Sequence, residues 1–407
     1  MVDARHLAGE ALAAALRDSR ARTWALVGEL TPAQWQPPRR PGVNPIAWEL
    51  AHLAWFAEFW VLRGPHVRAA QGHAEAREPA RFAAPDAHFD SARLTHAARW
   101  STPMPSRTDL VAMLAGQLEA CIAALPRNGD ARGTGAEDAD DAEDDDSALY
   151  FPRLALFHED MHGEAFCWLR STLGYPAPAG LAMPAVPAGA PLALRGGEVR
   201  VGVEAGRGGF AFDNERPGRS ARLHVFEIDS APLRATAFAR FVDAGGYDDP
   251  RHWPGAAGAW RAQHRPAHPQ HWRRGGNGDW QLRWFDEWLA LPPDAPAMHL
   301  NAFEAEAYCH WAGRRLPTAA EWEHAATTSA LFHWGSSVWE WTADAFAPYP
   351  GFTPGPYREY SEPWFGNHRE LRGGAFATHA RMHDPRYRNF FEPQRTDIFA
   401  GFRTAAL

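Results

Sequence analysis

The spacing of apolar residues over the first part of this 407-residue chain is helical. Apolar side chains recur at intervals of three and four residues in four stretches, which cover residues 7–29, 44–63, 107–125 and 148–173. An Asp-rich stretch, 130–146, lacks large apolar residues and is predicted to be a solvated loop between the third and fourth helices. The pattern predicts a four-helix bundle over residues 1–173.

The pattern changes after the fourth helical stretch. Residues 174–198 are rich in Pro, Ala and Gly and have no periodicity, which is typical of an extended linker. Residues 199–407 contain short apolar runs broken by Gly and Pro, with two clear helices at Phe303–Trp311 and Ala319–Ala326. The sequence therefore predicts an α+β multidomain protein, in which a second, irregular domain follows the bundle.

Composition excludes several classes of function. All 41 basic residues are arginine, so an enzyme that needs a Schiff-base, PLP or Walker lysine is excluded. A net charge of -8 disfavours nucleic-acid binding. Three cysteines without paired spacing indicate neither a disulfide framework nor a CxxC metal site. With no signal-like N-terminus and no long apolar run, we expect a cytoplasmic protein with small-molecule substrates and no membrane partner.

Three histidines in the helical stretches are candidate metal ligands. His158 and His162 are four residues apart, so one face of a helix presents both imidazoles. His52 lies in the second helical stretch, which an antiparallel bundle can place opposite them. Imidazole suits iron, zinc and copper alike, and three ligands leave positions open for other molecules. Chance spacing among 20 histidines, with His52 simply packed in the core, is the alternative interpretation.

Residues 158–162 also satisfy HExxH, the zinc-hydrolase signature in which Glu159 would be the general base. Such hydrolases need a third ligand further along the chain. No Asp, Glu or His occurs between Ala165 and Gly197, and Glu164 is too close on the same helix. A zinc hydrolase is therefore the weaker hypothesis.

The second half carries four motifs that occur together. They are AEAYCHWAGRRLPTAAEWE (305–323), VWEWT (338–342), LRGG (371–374) and GFR (401–403). They resemble the formylglycine-generating-enzyme fold, a C-type-lectin-like domain with little regular secondary structure. Oxidases of that family bind copper through paired cysteines near the chain end. Ala375 and Phe376 follow the LRGG motif here and no cysteine lies beyond Cys309, so formylglycine synthesis is excluded.

A DinB-like helical bundle with three histidines, joined to this second domain, resembles the ergothioneine-pathway sulfoxide synthases over nearly the whole chain. The resemblance implies a non-haem iron(II) enzyme that uses dioxygen, with His52, His158 and His162 as iron ligands. It also implies that hercynine, which is trimethylated histidine, binds through its imidazole, and that a thiol donor binds beside it.

The same resemblance assigns residues of the second domain. Tyr357 and Tyr360 match a tyrosine pair in which the first delivers a proton, and a phenol is protonated at neutral pH. A packed loop tyrosine is the alternative interpretation of Tyr357. Asn389 matches a residue that contacts hercynine, and Arg395 matches one that holds the carboxylate of the thiol donor.

Three departures from the family pattern concern substrate binding. Met161 replaces a glutamine that hydrogen-bonds the substrate imidazole, and Phe390 and Phe391 replace a Trp-Asp pair. The Asp of that pair would face the donor's ammonium group, and a buried ammonium without a partner is costly. Two rings suit a sugar face, so the sequence favours selenoneine synthase with a selenosugar donor. Sulfoxide synthesis from γ-glutamylcysteine or cysteine is the alternative.

Overall fold

The computed structural model describes residues 3–68, 72–82, 85–126, 147–204 and 206–407. The chain divides into two compact units. The first comprises Met1–Leu169 with Gly206–Ala211, and the second comprises Arg170–Ala205 with Phe212–Leu407. The Asp-rich stretch 130–146 lies outside the described residues. None of the described helices is long and apolar enough to cross a membrane.

The first unit is helical. Its helices are α1 (Gly9–Val27), α2 (Ile46–Ala57), α3 (Asp86–Phe89), α4 (Arg107–Ala123) and α5 (Tyr150–Leu173), the last of which continues into the second unit. A two-stranded antiparallel hairpin joins β1 (His66–Arg68) and β2 (Ala74–Ala76). The four long helices confirm the bundle that the apolar spacing predicts. The second helical stretch is shorter than predicted, because α2 passes into a π-helical turn at Glu58–Leu62.

Helix α2 is the central helix of the first unit. All twelve of its residues are buried, as expected for a helix that is hydrophobic on every side. It packs against α4, which also contacts α1. Leu12 and Leu16 of α1 join Leu118 of α4 and Leu156 of α5 in one apolar cluster. Ala57 of α2, Cys121 of α4 and Ala155 of α5 form a second apolar cluster, which fixes α2 beside α5, the two helices that carry the predicted ligands.

The second unit mixes short strands and helices. Its helices are α6 (Ala235–Asp243), α7 (Gly255–His264), α8 (Ala302–Ala312) and α9 (Ala319–Thr328). Its strands are β3 (Leu192–Leu194), β4 (Gly197–Val201), β5 (Arg219–Leu223), β6 (Phe226–Ile228), β7 (Trp272–Arg274), β8 (Trp280–Trp284), β9 (Glu287–Ala290), β10 (Trp339–Ala345), β11 (Arg369–Arg372), β12 (Asn389–Phe391) and β13 (Ala400–Gly401). Its largest sheet has the order β12-β11-β10-β13, in which only β10 and β13 are parallel.

The predicted helices of this unit begin at side-chain caps. Asn301 and Glu304 form a capping box at α8, and Thr318 and Glu321 form another at α9. The segment 174–198, predicted as a linker, also contributes strand β3 and the start of β4, which pair with β6 and β5. Short strands of this length carry too few residues for a visible alternation.

Buried ion pairs explain why two sequence motifs contain arginine. Arg372 of the LRGG motif contacts Glu370 at 2.7 Å and Glu323 at 3.0 Å, and all three side chains are almost fully buried. Arg403 of the GFR motif pairs with Glu340 in the VWEWT motif. Because a buried charge needs a partner of opposite sign, these motifs act together as one structural network.

Candidate metal centre and substrate residues

Two helices of the first unit bring the three predicted ligands together. His52 lies on the buried helix α2, and His158 and His162 lie one turn apart on α5. One ligand atom from each of the three residues lies within 4.8 Å of the other two. Among the described residues, this group contains nitrogen donors only. Such a set suits a first-row transition metal rather than magnesium or calcium, which prefer oxygen.

The orientation of the His52 ring is fixed on two sides. Its imidazole stacks on Trp48 with ring centroids 5.1 Å apart and planes 8° from parallel. Its Nδ1 lies 2.7 Å from the carbonyl oxygen of Phe89, which accepts the ring proton. With Nδ1 occupied in this way, Nε2 is the nitrogen left for a metal.

His158 is also packed on an aromatic ring and is kept neutral by burial. Its imidazole lies on Phe56 with centroids 3.6 Å apart and planes 5° from parallel. Burial lowers the pKa of His158 and of His52 well below 6.5, and neighbouring His162 lowers both further. A metal binds the neutral imidazole, so this environment fits the ligand role.

His162 is less enclosed than the other two histidines. Its Nδ1 is buried without a hydrogen-bond partner, and it lies 3.7 Å from Oε1 of Glu49. Met161, predicted to lie beside the substrate imidazole, precedes it on α5 and is half-buried. The open side of the cluster is therefore at His162.

Glu159, the acidic residue of the HExxH pattern, is held by α1. Arg20 donates to its two carboxylate oxygens at 2.6 and 3.0 Å, and Thr23 Oγ1 donates at 3.0 Å. Both Arg20 and Glu159 are buried. Because these hydrogen bonds occupy both carboxylate oxygens, Glu159 is poorly placed to take a proton from water, so the arrangement disfavours the zinc-hydrolase hypothesis.

The two predicted tyrosines are neighbours in the second unit. The ring centroids of Tyr357 and Tyr360 are 6.2 Å apart. Tyr360 stacks on Phe212, and its hydroxyl lies 2.9 Å from the hydroxyl of Tyr387. Burial, and then Tyr387, raises the pKa of Tyr360 well above 10. Tyr360 therefore stays protonated and serves as a fixed partner beside Tyr357.

Asp213 holds both ends of the segment that carries these tyrosines. Its Oδ2 accepts the backbone N–H of Gly355 at 3.2 Å, and its Oδ1 accepts the hydroxyl of Ser361. Asn214 donates to the same hydroxyl at 3.0 Å. Local sequence gives no sign of this clamp, because the partners are more than 140 positions apart in the chain.

Strand β12 separates the three residues predicted to line the substrate site. Alternate side chains of a strand point to opposite faces, so Asn389 and Phe391 share one face and Phe390 lies on the other. Phe390 stacks on Phe346 with centroids 4.0 Å apart. Phe390 also meets the ring of Tyr360 edge-on, with centroids 5.5 Å apart. The structure therefore brings Asn389 and Phe391 together on one face of the strand and places Phe390 beside Tyr360 on the other.

Arg395 lies near Phe391 and has an acidic partner. Its guanidinium is 4.9 Å from the centre of the Phe391 ring. It pairs with Asp397 through both carboxylate oxygens, with Nε 2.9 Å from Oδ1. His299 Nδ1 lies 3.0 Å from the carbonyl oxygen of the intervening Thr396. Arg395 and Asp397 therefore place a cation and an anion beside Phe391, one of the residues predicted to bind the chalcogen donor.

A second group of buried histidines occurs in this unit. His271 and His299 stack with ring centroids 3.9 Å apart and planes 12° from parallel. Burial lowers the pKa of His271 well below 6.5 and that of His299 to about 4. Within the described residues, the pair has no third ligand-type residue at metal-binding distance.

Comparisons with known proteins agree with both halves of this description. The DinB superfamily model matches residues 15–166, and the model of the sulfatase-modifying factor enzyme 1-like domain matches residues 182–337 and 331–406. The hercynine oxygenase of Mycolicibacterium smegmatis is 31% identical, with 98% of this chain and 99% of the relative covered. That of Mycolicibacterium thermoresistibile is 32% identical, with 97% and 94% covered.

The chain belongs to the hercynine oxygenase family. This membership confirms the predicted fold class, with a DinB-like bundle followed by a formylglycine-generating-enzyme-like domain. It also confirms the prediction of an enzyme of the oxidoreductase type. The formylglycine-generating enzyme of Streptomyces coelicolor is 29% identical but covers only 50% of this chain. The second unit thus has the fold of those enzymes within a longer, hercynine oxygenase architecture.

Three acidic residues near the predicted site residues were missed by sequence reasoning. They are Glu49 beside His162, Asp213 behind the tyrosine segment and Asp397 beside Arg395. Glu49 could have been noticed, because it lies three residues before His52 in an otherwise apolar helix. Asp397 could also have been noticed, two residues after Arg395.

Proposed function

We propose that this protein is an iron(II)-dependent enzyme that uses dioxygen to join sulfur to the imidazole C2 of hercynine. One observation carries the proposal, namely the convergence of His52, His158 and His162 in a chain related to hercynine oxygenases over its whole length. The substrates would be hercynine, a thiol donor and dioxygen.

The three histidines would hold the iron through neutral ring nitrogens. When bound, iron(II) would activate dioxygen, and the C–H bond of hercynine and the S–H bond of the donor would supply the four electrons that reduce it to the sulfoxide oxygen and one water. Three protein ligands leave coordination positions for substrates. The chain buries His52 and His158, which lowers the pKa of both rings. It orients them through the carbonyl oxygen of Phe89 for His52 and through the ring of Phe56 for His158.

Residues of the second unit would bind the substrates and deliver a proton during the reaction. Tyr357 is the proposed proton donor, since a phenol is protonated at neutral pH and its neighbour Tyr360 is fixed by Tyr387. Asp213 would keep the tyrosine segment in place through Gly355 and Ser361. Asn389 is proposed to contact hercynine, by its match to the family.

The contacts of Arg395 favour a thiol amino acid as the donor. The sequence argument for a selenosugar was that Phe391 leaves the donor's ammonium group without a carboxylate. Asp397 supplies a carboxylate beside Arg395, so a zwitterion could meet both charges there. Phe390, the other ring assigned to the sugar, lies on the opposite face of β12 from Asn389 and packs on Phe346 and Tyr360. We therefore place γ-glutamylcysteine or cysteine before the selenosugar.

A selenosugar is the second candidate donor, and it would make the protein a selenoneine synthase. The observation that favours it is Phe391, an aromatic ring on the same face of β12 as Asn389. Aromatic rings suit the apolar face of a sugar, whereas an ammonium group gains less from a ring already covered by Arg395.

The test is turnover with each donor offered separately. The apo-protein would be loaded with iron(II) without oxygen and then mixed in air with hercynine and γ-glutamylcysteine, cysteine or a selenosugar, and products would be followed by mass spectrometry. We expect a hercynine sulfoxide adduct with a thiol amino acid. Product from the selenosugar alone would establish the second candidate, and no product from any donor would contradict both.

A further inference from the structure

A chain of polar side chains leads from the surface of the first unit to the histidine cluster. Arg99 donates to Oδ1 of Asn44 at 2.8 Å, and Nδ2 of Asn44 donates to Oε1 of Glu49 at 2.8 Å. Glu49 Oε1 lies 3.7 Å from Nδ1 of His162. The guanidinium of Arg99 is also 4.2 Å from the ring centre of Trp48, the residue on which His52 stacks.

Two atoms at the end of this chain are buried without hydrogen-bond partners. They are Oε2 of Glu49 and Nδ1 of His162. Glu49 is only 3% exposed, so water cannot readily replace the missing partner. The two side chains approach to 3.7 Å, so a carboxylate that lacks one partner lies beside a ring nitrogen that also lacks one.

Metal binding through Nε2 of His162 would require a hydrogen-bond acceptor at the other nitrogen of the ring. An imidazole that binds a metal through Nε2 carries its remaining proton on Nδ1, and that N–H needs an acceptor. For His52 the acceptor is the carbonyl oxygen of Phe89. For His162 the candidate acceptor is the carboxylate of Glu49, 3.7 Å from Nδ1. The ligand group itself contains no carboxylate among the described residues, so a bound divalent ion would keep its full charge.

We propose that Glu49 is a positioning residue of the metal centre. It accepts the Nδ1 proton of His162, turns Nε2 of that ring towards the metal, and supplies a negative charge beside three neutral ligands. Asn44 and Arg99 hold the carboxylate in this orientation. The proposal rests on the metal site of the proposed function, but not on hercynine or on the donor.

Cobalt(II) is the probe for the first test, because its visible spectrum reports the ligand field. The apo-protein is titrated with Co(II) without oxygen, as wild type and as Glu49→Gln. We expect Glu49→Gln to bind roughly 10- to 100-fold more weakly, with a shifted spectrum. Glu58→Gln is the matched control, because Glu58 is equally buried just after α2 but accepts from the backbone N–H of Phe82. It should bind Co(II) as wild type does.

The reduction potential gives a second readout that a merely structural role would not move. A negative charge near iron stabilises iron(III) over iron(II). Glu49→Gln should therefore raise the potential of the iron(III)/iron(II) couple, whereas Glu58→Gln should leave it unchanged. Wild-type Co(II) affinity, spectrum and iron potential in a folded Glu49→Gln protein would overturn the proposal.

Further variants keep the test decisive. If Glu49→Gln does not fold, Asn44→Ala removes the hydrogen bond that holds the carboxylate and should lower Co(II) affinity by a smaller factor. An unchanged affinity and spectrum in Asn44→Ala would then overturn the proposal. His158→Ala separates the two levels of inference. If His158→Ala binds Co(II) as the wild type does, the proposed metal site is wrong. If His158→Ala loses Co(II) binding but Glu49→Gln binds as the wild type does, the proposed role of Glu49 is wrong.

Discussion

The two units each bury a group of histidines, and the two groups differ in how the rings meet. In the first unit, His52, His158 and His162 approach one another so that their ligand atoms lie within 4.8 Å. In the second unit, His271 and His299 lie face to face with ring centroids 3.9 Å apart. Burial lowers the pKa of four of these five residues. A buried, neutral imidazole is therefore not enough to indicate a metal site.

Convergence of ring nitrogens is what distinguishes the first group. Stacking uses the faces of the His271 and His299 rings, and the Nδ1 of His299 is already directed at the carbonyl oxygen of Thr396. The pair thereby supports the loop that carries Arg395 and Asp397. In the first group, the faces of His52 and His158 stack on Trp48 and Phe56, so that the ring nitrogens can converge.

The largest expected effect is loss of metal binding when one ligand is removed from the first group. His158→Ala should abolish measurable Co(II) binding at concentrations that saturate the wild type, since even the loss of an outer partner costs roughly 10- to 100-fold. His271→Ala should bind Co(II) normally. Equal losses in the two variants, measured by anaerobic titration, would show that the comparison between the groups is mistaken.

The next effect separates metal binding from proton delivery. Tyr357→Phe should lower turnover of hercynine by roughly 10²- to 10⁴-fold, the range for loss of a positioned acid. Its Co(II) affinity should equal that of the wild type, because the described ligand group lies wholly in the first unit. Turnover under air and anaerobic titration are measured on the same preparation. Wild-type turnover would leave Tyr357 as a packed loop residue.

The stacked pair should make stability depend on pH. Because the folded pKa of His299 is about 4 and the unfolded value is about 6.5, its contribution is complete above pH 6.5. It decreases as the pH falls towards 4, since the unfolded chain takes up the proton first. The expected loss in free energy of unfolding between pH 7 and pH 5 is about 2 kcal/mol.

Urea unfolding at the two pH values measures this loss. His299→Asn is the control, since asparagine tolerates the left-handed backbone at φ 59° and does not titrate. The variant should show a shallower dependence on pH. Identical dependence in both proteins would mean that His299 gains its proton as easily when folded as when unfolded.

The smallest effect concerns the choice of donor. Asp397→Asn should raise the KM for γ-glutamylcysteine or cysteine roughly tenfold, through loss of one charge-assisted contact. It should leave Co(II) affinity unchanged and have little effect on any turnover with a selenosugar. Steady-state kinetics with each donor provide the comparison. A proportional loss with every donor would assign Asp397 to the loop structure rather than to the ammonium group.

The helical half of the fold could be predicted more fully than the second half. The long helices α1, α4 and α5 have enough turns for the apolar spacing to be visible. The strands of the second unit mostly have two to five residues, and their order is set by pairing between distant segments. The fold of the second unit could be predicted only from its sequence motifs. The buried arginines of those motifs pair with glutamates that lie far away in the chain.

The convergence of the three histidines could be predicted, whereas the residues that orient them could not. The spacing of His158 and His162 is local, and the apolar setting of His52 is visible in the sequence. Phe89, whose carbonyl oxygen fixes the His52 ring, lies 37 positions away in the chain. Every residue has a backbone carbonyl, so residue type gives no sign of this contact. The selenosugar preference likewise rested on Phe390 and Phe391 alone, without the contact between Arg395 and Asp397.

The ion pair between Arg20 and Glu159 has a consequence for searches by motif. A scan for zinc proteases retrieves this chain, because five consecutive letters satisfy the pattern. The structural observation that disfavours this class is a guanidinium 139 positions earlier in the chain, which pairs with the glutamate of the pattern. A more selective scan would ask whether an arginine on a facing helix can neutralise the glutamate. Otherwise, hercynine oxygenases with this HExxH sequence would be assigned as zinc peptidases on the sequence pattern alone.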